Sequence, residues 1–203
     1  MNASTRRITH AFVLFRSFIL FTAIALLAGC ADERLVQPGL ASASGGIVID
    51  TPLAWSRFVF PRYEIWTIDG IPLNRLYIVP AVKTGEHVFL EHRANKDQAD
   101  GPAFRAGMRA EEIRDIVLDA LTETGAVNIK SEGLRPARFG AFDGLRFEFQ
   151  ASTTAGLQYR GMVLAAARGN QLSFVLWMAP AEYYYDRDAA SVAHILDSAS
   201  FDR

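Results

Sequence analysis

From Asp143 to Ala179 the chain alternates apolar and polar residues through tight turns, and this stretch restricts the possible folds more than any other. Leu145, Phe147 and Phe149 alternate with Arg146, Glu148 and Gln150, the period-two pattern of a strand with one wet face. Asp143-Gly144 turns into it. Leu157 to Ala167 follows as a long strand, and Gly169-Asn170 closes a hairpin into Gln171–Ala179. In that last strand Leu172, Phe174, Leu176 and Met178 share one side, while Val175, Trp177 and Ala179 share the other with Ser173. A strand that is apolar on both sides has to be covered on both sides. The chain therefore needs a sheet with something packed on each face.

Other strands are legible upstream. Ile47-Val48-Ile49 opens the folded part, and Tyr63–Ile68 is a clearer strand. Asp69-Gly70 turns it back into Leu76-Tyr77-Ile78-Val79, and Gly85 through Glu91 is a further short strand candidate. Residues 93–107, rich in Asn, Asp, Gly and Pro, read as an exposed loop. Ile113, Ile116, Val117, Ala120, Leu121 and Thr124 then fall at helical spacing and make one apolar stripe. Glu111 and Glu112 suit the first turn of that helix, and Gly125 suits its end. A closing helix is expected from about Asp188 to Ser198, with Val192, Ile195, Leu196 and Ala199 inward and Phe201 packing the end.

The order of strands, helix, meander and helix predicts an α+β domain, a mostly antiparallel sheet with packed helices. The element order, the paired aromatic strand with Pro180, and the ending Ile195-Leu196-Asp197-Ser198-Ala199-Ser200-Phe201 resemble the PsbP-like α/β/α sandwich over about residues 47–201. That resemblance implies mostly non-catalytic roles, and it carries no catalytic residue across.

The N-terminus determines location. Arg6, Arg7 and His10 give a basic start, and an apolar core runs from Ser17 to Ala28 before small residues close it. A dozen apolar residues fall short of the ~20 needed by a spanning helix. The four residues Leu27-Ala28-Gly29-Cys30 resemble the lipobox of bacterial lipoproteins at every position. The resemblance implies cleavage before Cys30, a diacylglycerol on its sulfur and an acyl chain on the new amino terminus. Two or more chains anchor stably, since each buried methylene contributes ~0.8 kcal/mol. Ala31 in place of Asp resembles the outer-membrane sorting pattern, so the expected location is the cell envelope, on the periplasmic face of the outer membrane. The domains expected are a signal peptide over 1–29, a flexible tether over 30–46 and one domain over 47–203.

Cys30 is the sole cysteine of the chain. Once it is acylated, the mature protein has no disulfide and no thiolate, so stability rests on packing. Losing Arg6, Arg7 and Arg16 takes the formal charge from −1 to −4. A mildly acidic domain has no electrostatic attraction for nucleic acid. The partners expected are the membrane, through Cys30, and a protein or other component of the envelope.

No local motif announces a reaction: there is no P-loop, dinucleotide fingerprint, Gly-x-Ser-x-Gly elbow or His-Glu-x-x-His. His87 and His92 with Glu86 and Glu91 are the best metal or acid–base candidates. On a strand, residues five apart face opposite sides, and His87 and Glu91 share a face about 13 Å apart. No metal site and no cofactor are expected. Two features read as possible binding surfaces. Tyr183-Tyr184-Tyr185 cannot all face a core, and tyrosine is enriched at interaction hot spots. The loop 95–107, with Phe104, Arg105 and Met108, is long enough to carry a function. The expected function is a non-catalytic, lipid-anchored binding or assembly module. The alternatives are an envelope enzyme using His87, Glu91 and Asp100 or His194, and a carrier with an apolar cavity between sheet and helices.

Overall fold

A computed structural model describes residues 34–88 and 103–202. The signal segment, Cys30, residues 30–33 of the expected tether, Glu91, His92 and Asp100 lie outside the described residues. The strands are β1 (Arg34–Val36), β2 (Gly39–Ser42), β3 (Ile47–Thr51), β4 (Trp55–Val59), β5 (Glu64–Thr67) and β6 (Arg75–Lys83). After helix α1 (Ala110–Glu123) come β7 (Val127–Phe139), β8 (Phe142–Ser152), β9 (Gln158–Arg168) and β10 (Gln171–Pro180). Helix α2 (Tyr184–Ser198) and the short β11 (Ser200–Phe201) close the chain. Eight strands form one antiparallel sheet in the order β1-β4-β5-β6-β10-β9-β8-β7, and β11-β3-β2 form a second, small sheet.

The both-sides-apolar strand is β10, and it is central. It pairs with β6 on one side and β9 on the other. Its Leu172, Phe174, Leu176 and Met178 enter the core under α1, with Ile113, Ile116, Val117, Ala120 and Leu121 of that helix. Val175, Trp177 and Ala179 enter the core on the opposite face, with Val192, Ile195 and Leu196 of α2 and Ile47 and Ile49 of β3. One cross-strand row on that second face touches every strand: Arg34, Arg57, Trp66, Leu76, Trp177, Met162, Glu148, Glu132. The row is apolar in the middle and charged at both ends. Along this row the second core is confined to the centre, although Val36 of β1 and Phe139 of β7 join it elsewhere.

This overturns the expected α+β class with helices packed over a sheet, and the PsbP-like sandwich with it. Among the described residues, strands take 51% and only two α-helices are found. The fold is β-rich. The physical reason is one of width. Eight strands span seven gaps of ~4.8 Å, roughly 34 Å, whereas a helix covers ~10 Å. One helix per face cannot cover such a sheet, and the second face is completed by β2, β3 and β11 instead.

Residues 34–46 also depart from the expected tether. Val36 is buried against Trp55, its β4 partner, and Ala41 of β2 pairs with Ile49 of β3. The segment is fixed further by Glu64, a fully buried carboxylate. Its Oε1 accepts the Ser44 backbone N–H at 2.7 Å and bonds to Arg57, and its Oε2 accepts the Trp66 indole N–H at 2.8 Å. A buried charge needs such partners. Gly45 makes the short 3-10 turn possible, at φ 69° against the ring of Pro80, where a Cβ would collide. Of the strand expected over 85–91, residues 85–88 form only a bridge from His87 to Ala103, and residues 89–91 lie outside the described residues.

Candidate functional site

The site grows from the way β10 gives way to α2. Ala181 donates its backbone N–H to Gln158 at 2.9 Å, the last rung beside β9, and the chain must then reverse into a helix within two residues. It does so at Tyr183, with φ 66° and ψ −61°. The Tyr184 N–H donates to the Glu182 carbonyl at 2.8 Å, closing a γ-turn of the uncommon positive-φ kind around Tyr183. A residue with a Cβ held there costs about 1–3 kcal/mol and persists only where its surroundings enforce it.

Those surroundings come from a turn far away in sequence. Arg187, one helical turn on, donates its backbone N–H to the Tyr183 carbonyl at 3.0 Å. Its guanidinium lies 5.6 Å from the Tyr183 ring centre and 5.3 Å from that of Tyr184. The same guanidinium bonds to Asp188 (Nε to Oδ1, 2.9 Å) and to Asp69 of the β5–β6 turn. Asp69 in turn accepts from the Asn74 amide at 2.8 Å. Asn74 is fully buried and accepts from the Thr67 hydroxyl and the Ile68 N–H, at 2.8 and 2.7 Å. Hydrogen bonds that its guanidinium donates to Asp188 and Asp69 push the Arg187 pKa up, and its charge is permanent. The network joins a buried amide to a surface turn through a fixed cation.

The three tyrosines separate cleanly. Tyr183 is 69% exposed, Tyr184 is half-buried and packs edge-on to Tyr183 at 5.2 Å, and Tyr185 is buried. Tyr185 packs at a tilt against Trp177, ring centres 5.0 Å apart, beneath α2, with the Arg160 guanidinium 4.1 Å from its ring centre. Burial, with a smaller contribution from Glu148, pushes its phenol above the ordinary value. Leu157, in the loop before β9, is a further exposed apolar side chain, one residue from the Gln158 rung. The site presents a rigid aromatic ring with a hydroxyl at its tip. The cation beside it is already neutralised by two carboxylates, which suits contact better than bond-making chemistry.

The remaining candidates do not join this site. Phe104, expected on a binding loop, is fully buried in the α1-face core with Val88. The reason is that Phe104 pairs backbone-to-backbone with Gly85 and Glu86, at 2.8 and 3.0 Å, and its ring fills the space below. The segment carrying His87 packs on that same face through Val88, whereas His194 rides on α2 across the sheet. Those two histidines therefore cannot converge. His194 faces Asp50 at 3.4 Å, not Asp188 or Asp197; these two carboxylates bond Arg187 and Arg146. No group of His, Cys, Asp and Glu among the described residues could hold a metal ion. Two surface concavities lie elsewhere. One of about 500 Å³ lies between α1 and the start of β7, and one of about 370 Å³ lies beside Pro80 and Lys83. Neither is lined by a Phe or Trp side chain.

Tyr183 stands in a run of three tyrosines that carries no local sign of a turn. Positive φ is signalled by glycine or asparagine, and here the residue is tyrosine. The Asp69–Arg187 contact, 118 residues apart, leaves no local trace.

No protein-family model and no curated protein matches this sequence. A solved structure from Bacteroides thetaiotaomicron is similar in part, at 11% identity with a TM-score of 0.46. The match covers 83% of this chain and 50% of that one, so the chain spans about half the length of that structure.

Proposed function

We propose that this protein is a lipid-anchored, non-catalytic module of the cell envelope that binds a protein partner through the Tyr183 turn. The observation that carries the reading is a tyrosine held exposed in a strained γ-turn and braced by a buried network. A glycine would make the same reversal without strain, whereas tyrosine sets a fixed ring at the surface. Rigid aromatic rings are effective anchors because little conformational entropy is lost when they are covered. Residues 27–30 supply the anchor and the address by their resemblance to a lipobox. Among the described residues no helix is long and apolar enough to cross a membrane.

A photo-crosslinking side chain placed at 183 in the lipidated protein tests the reading in its native membrane. The expected result is one discrete adduct that is lost when the same probe is moved to Glu132, on the far edge of the sheet. An equal pattern from both positions, or adducts only with abundant lipoproteins, overturns it.

A further inference from the structure

One arginine of the sheet stands apart from its fellows. Arg57, Arg138, Arg146 and Arg187 each hold a carboxylate through a terminal guanidinium nitrogen. Arg168, at the end of β9, has no hydrogen-bond or ion-pair partner among the described residues, and its Nε is buried. What holds it is aromatic. Its guanidinium carbon lies 3.6 Å from the centre of the Phe201 ring and 5.3 Å from that of Phe142. Phe201 is itself stacked on Phe139 at 4.4 Å, with Phe142 edge-on at 5.6 Å. A guanidinium pressed to a ring in this way donates through its planar edge. A cation stripped of water on one side and left without an acceptor is costly, and an anion would relieve it.

The register of the sheet sets two more donors beside it. Gln171 of β10 stands opposite Arg168 in the ladder with β9 and opposite Lys83 in the ladder with β6. Directly opposite residues share a face. Lys83, Gln171 and Arg168 therefore form a row on the face that also carries Ala166 and Val175. Lys83 and Arg168 are two strand spacings apart, roughly 10 Å, which lets both long side chains reach one group lying over Gln171. Neither the Gln171 amide nor the Lys83 ammonium is bonded among the described residues. The carboxylates of this end of the sheet are engaged or apart. Glu86 accepts the Lys83 backbone N–H and pairs with Arg62 at 3.7 Å, and Asp143 pairs with Arg138. No ion pair joins Asp202, which follows Phe201, to either cation. Phe142 is 40% exposed, so the row reaches the surface at its Arg168 end.

From this row we propose that the β9–β10 hairpin end of the sheet binds a phosphate group. A carboxylate is held here by a single guanidinium, as with Arg57 and Arg146. Two cations and an amide suit a phosphate monoester, which carries nearly two negative charges and three acceptor oxygens. Arg168 grips through the edge of its guanidinium, Lys83 adds the second charge, and the Gln171 amide donates between them. Free phosphate and the headgroup of a phosphomonoester lipid present this same chemistry. The site is independent of the Tyr183 turn, which lies beyond the opposite end of β10.

The test titrates the isotope-labelled full-length protein, in a neutral maltoside detergent at constant ionic strength, with inorganic phosphate and separately with dihexanoyl phosphatidic acid. The expected result is a saturable shift of the Arg168 Nε–H resonance and of amides 83 and 168–171, while amides 183–187 stay in place. Lys83→Gln, at an exposed position, should weaken binding several-fold with thermal unfolding unchanged. Arg168→Lys, which keeps the charge and loses the planar edge, should weaken it about tenfold. Tighter binding of phosphatidic acid assigns the group to a lipid, tighter binding of inorganic phosphate assigns it to a soluble ligand, and either supports the site. No saturable shift with either probe, or shifts that Lys83→Gln leaves unchanged, overturns the proposal. So does an equal response to acetate, which would make the row a site for carboxylates.

Discussion

At the scale of residues, strain and burial make opposite demands on neighbouring tyrosines. Tyr183 holds a backbone conformation that suits glycine, so Tyr183→Gly should relieve about 1–3 kcal/mol of strain. Some of that gain is lost to the entropy of glycine, about 0.5–1 kcal/mol. The expected outcome is a protein as stable as the parent or more so, by thermal unfolding, that no longer retains the proposed partner in co-purification from its own membrane. A clear drop in melting temperature would contradict the strained-turn account. Tyr185 behaves differently, because its phenol is raised in the fold by burial. A raised pKa contributes stability that is complete below the unfolded value near 10 and is lost as pH rises through the folded value. Tyr185→Phe should therefore leave stability at neutral pH nearly unchanged and weaken its decline in alkali. Denaturant midpoints measured at neutral and alkaline pH check this.

At the scale of elements, two packing devices hold the sheet. Gly161 on β9 has its α-carbon against the Phe149 ring and the Trp177 carbonyl, so a Cβ there would overlap both. Gly161→Ala should destabilise by about 1–3 kcal/mol through overpacking, read as a lower denaturant midpoint with an unchanged slope. Glu64→Leu should be more severe, about 3–5 kcal/mol, because it leaves Arg57 and the Trp66 indole without their buried partner. Hydrogen exchange should show β1 and β2 losing protection first, since the Ser44 N–H loses its acceptor as well. Legibility at this scale followed pattern. The β8–β10 meander and the α1 stripe could be read because each keeps one period over ten residues or more. β7 could not, because Gly133, Pro136 and two register shifts break its alternation, as suits an exposed edge. β1 and β2 were hidden for a related reason. Only Val36, Ala41 and Ala43 of that segment face a core, too few to rise above the Gly, Ser and Pro around them.

At the scale of the whole molecule, a wide sheet carries a braced aromatic turn at the end of its central strand β10. The sheet itself was legible in sequence, but its cover was not. Periodicity identifies a face that must be buried without saying whether a helix or a strand buries it, and here strands took much of that role. The proposed location rests on a different kind of signal, a four-residue resemblance to a lipobox that lies outside the described residues. Cys30→Ala should release the protein from membranes into the soluble envelope fraction while its thermal unfolding stays as it was, since Cys30 precedes the first strand.

The intact mass of the mature protein extracted from its own membrane tests the central claim most directly. The account predicts a chain beginning at Cys30 that carries a diacylglycerol and an additional acyl chain. A chain that retains Met1, or one that bears an unmodified thiol at Cys30, would contradict it.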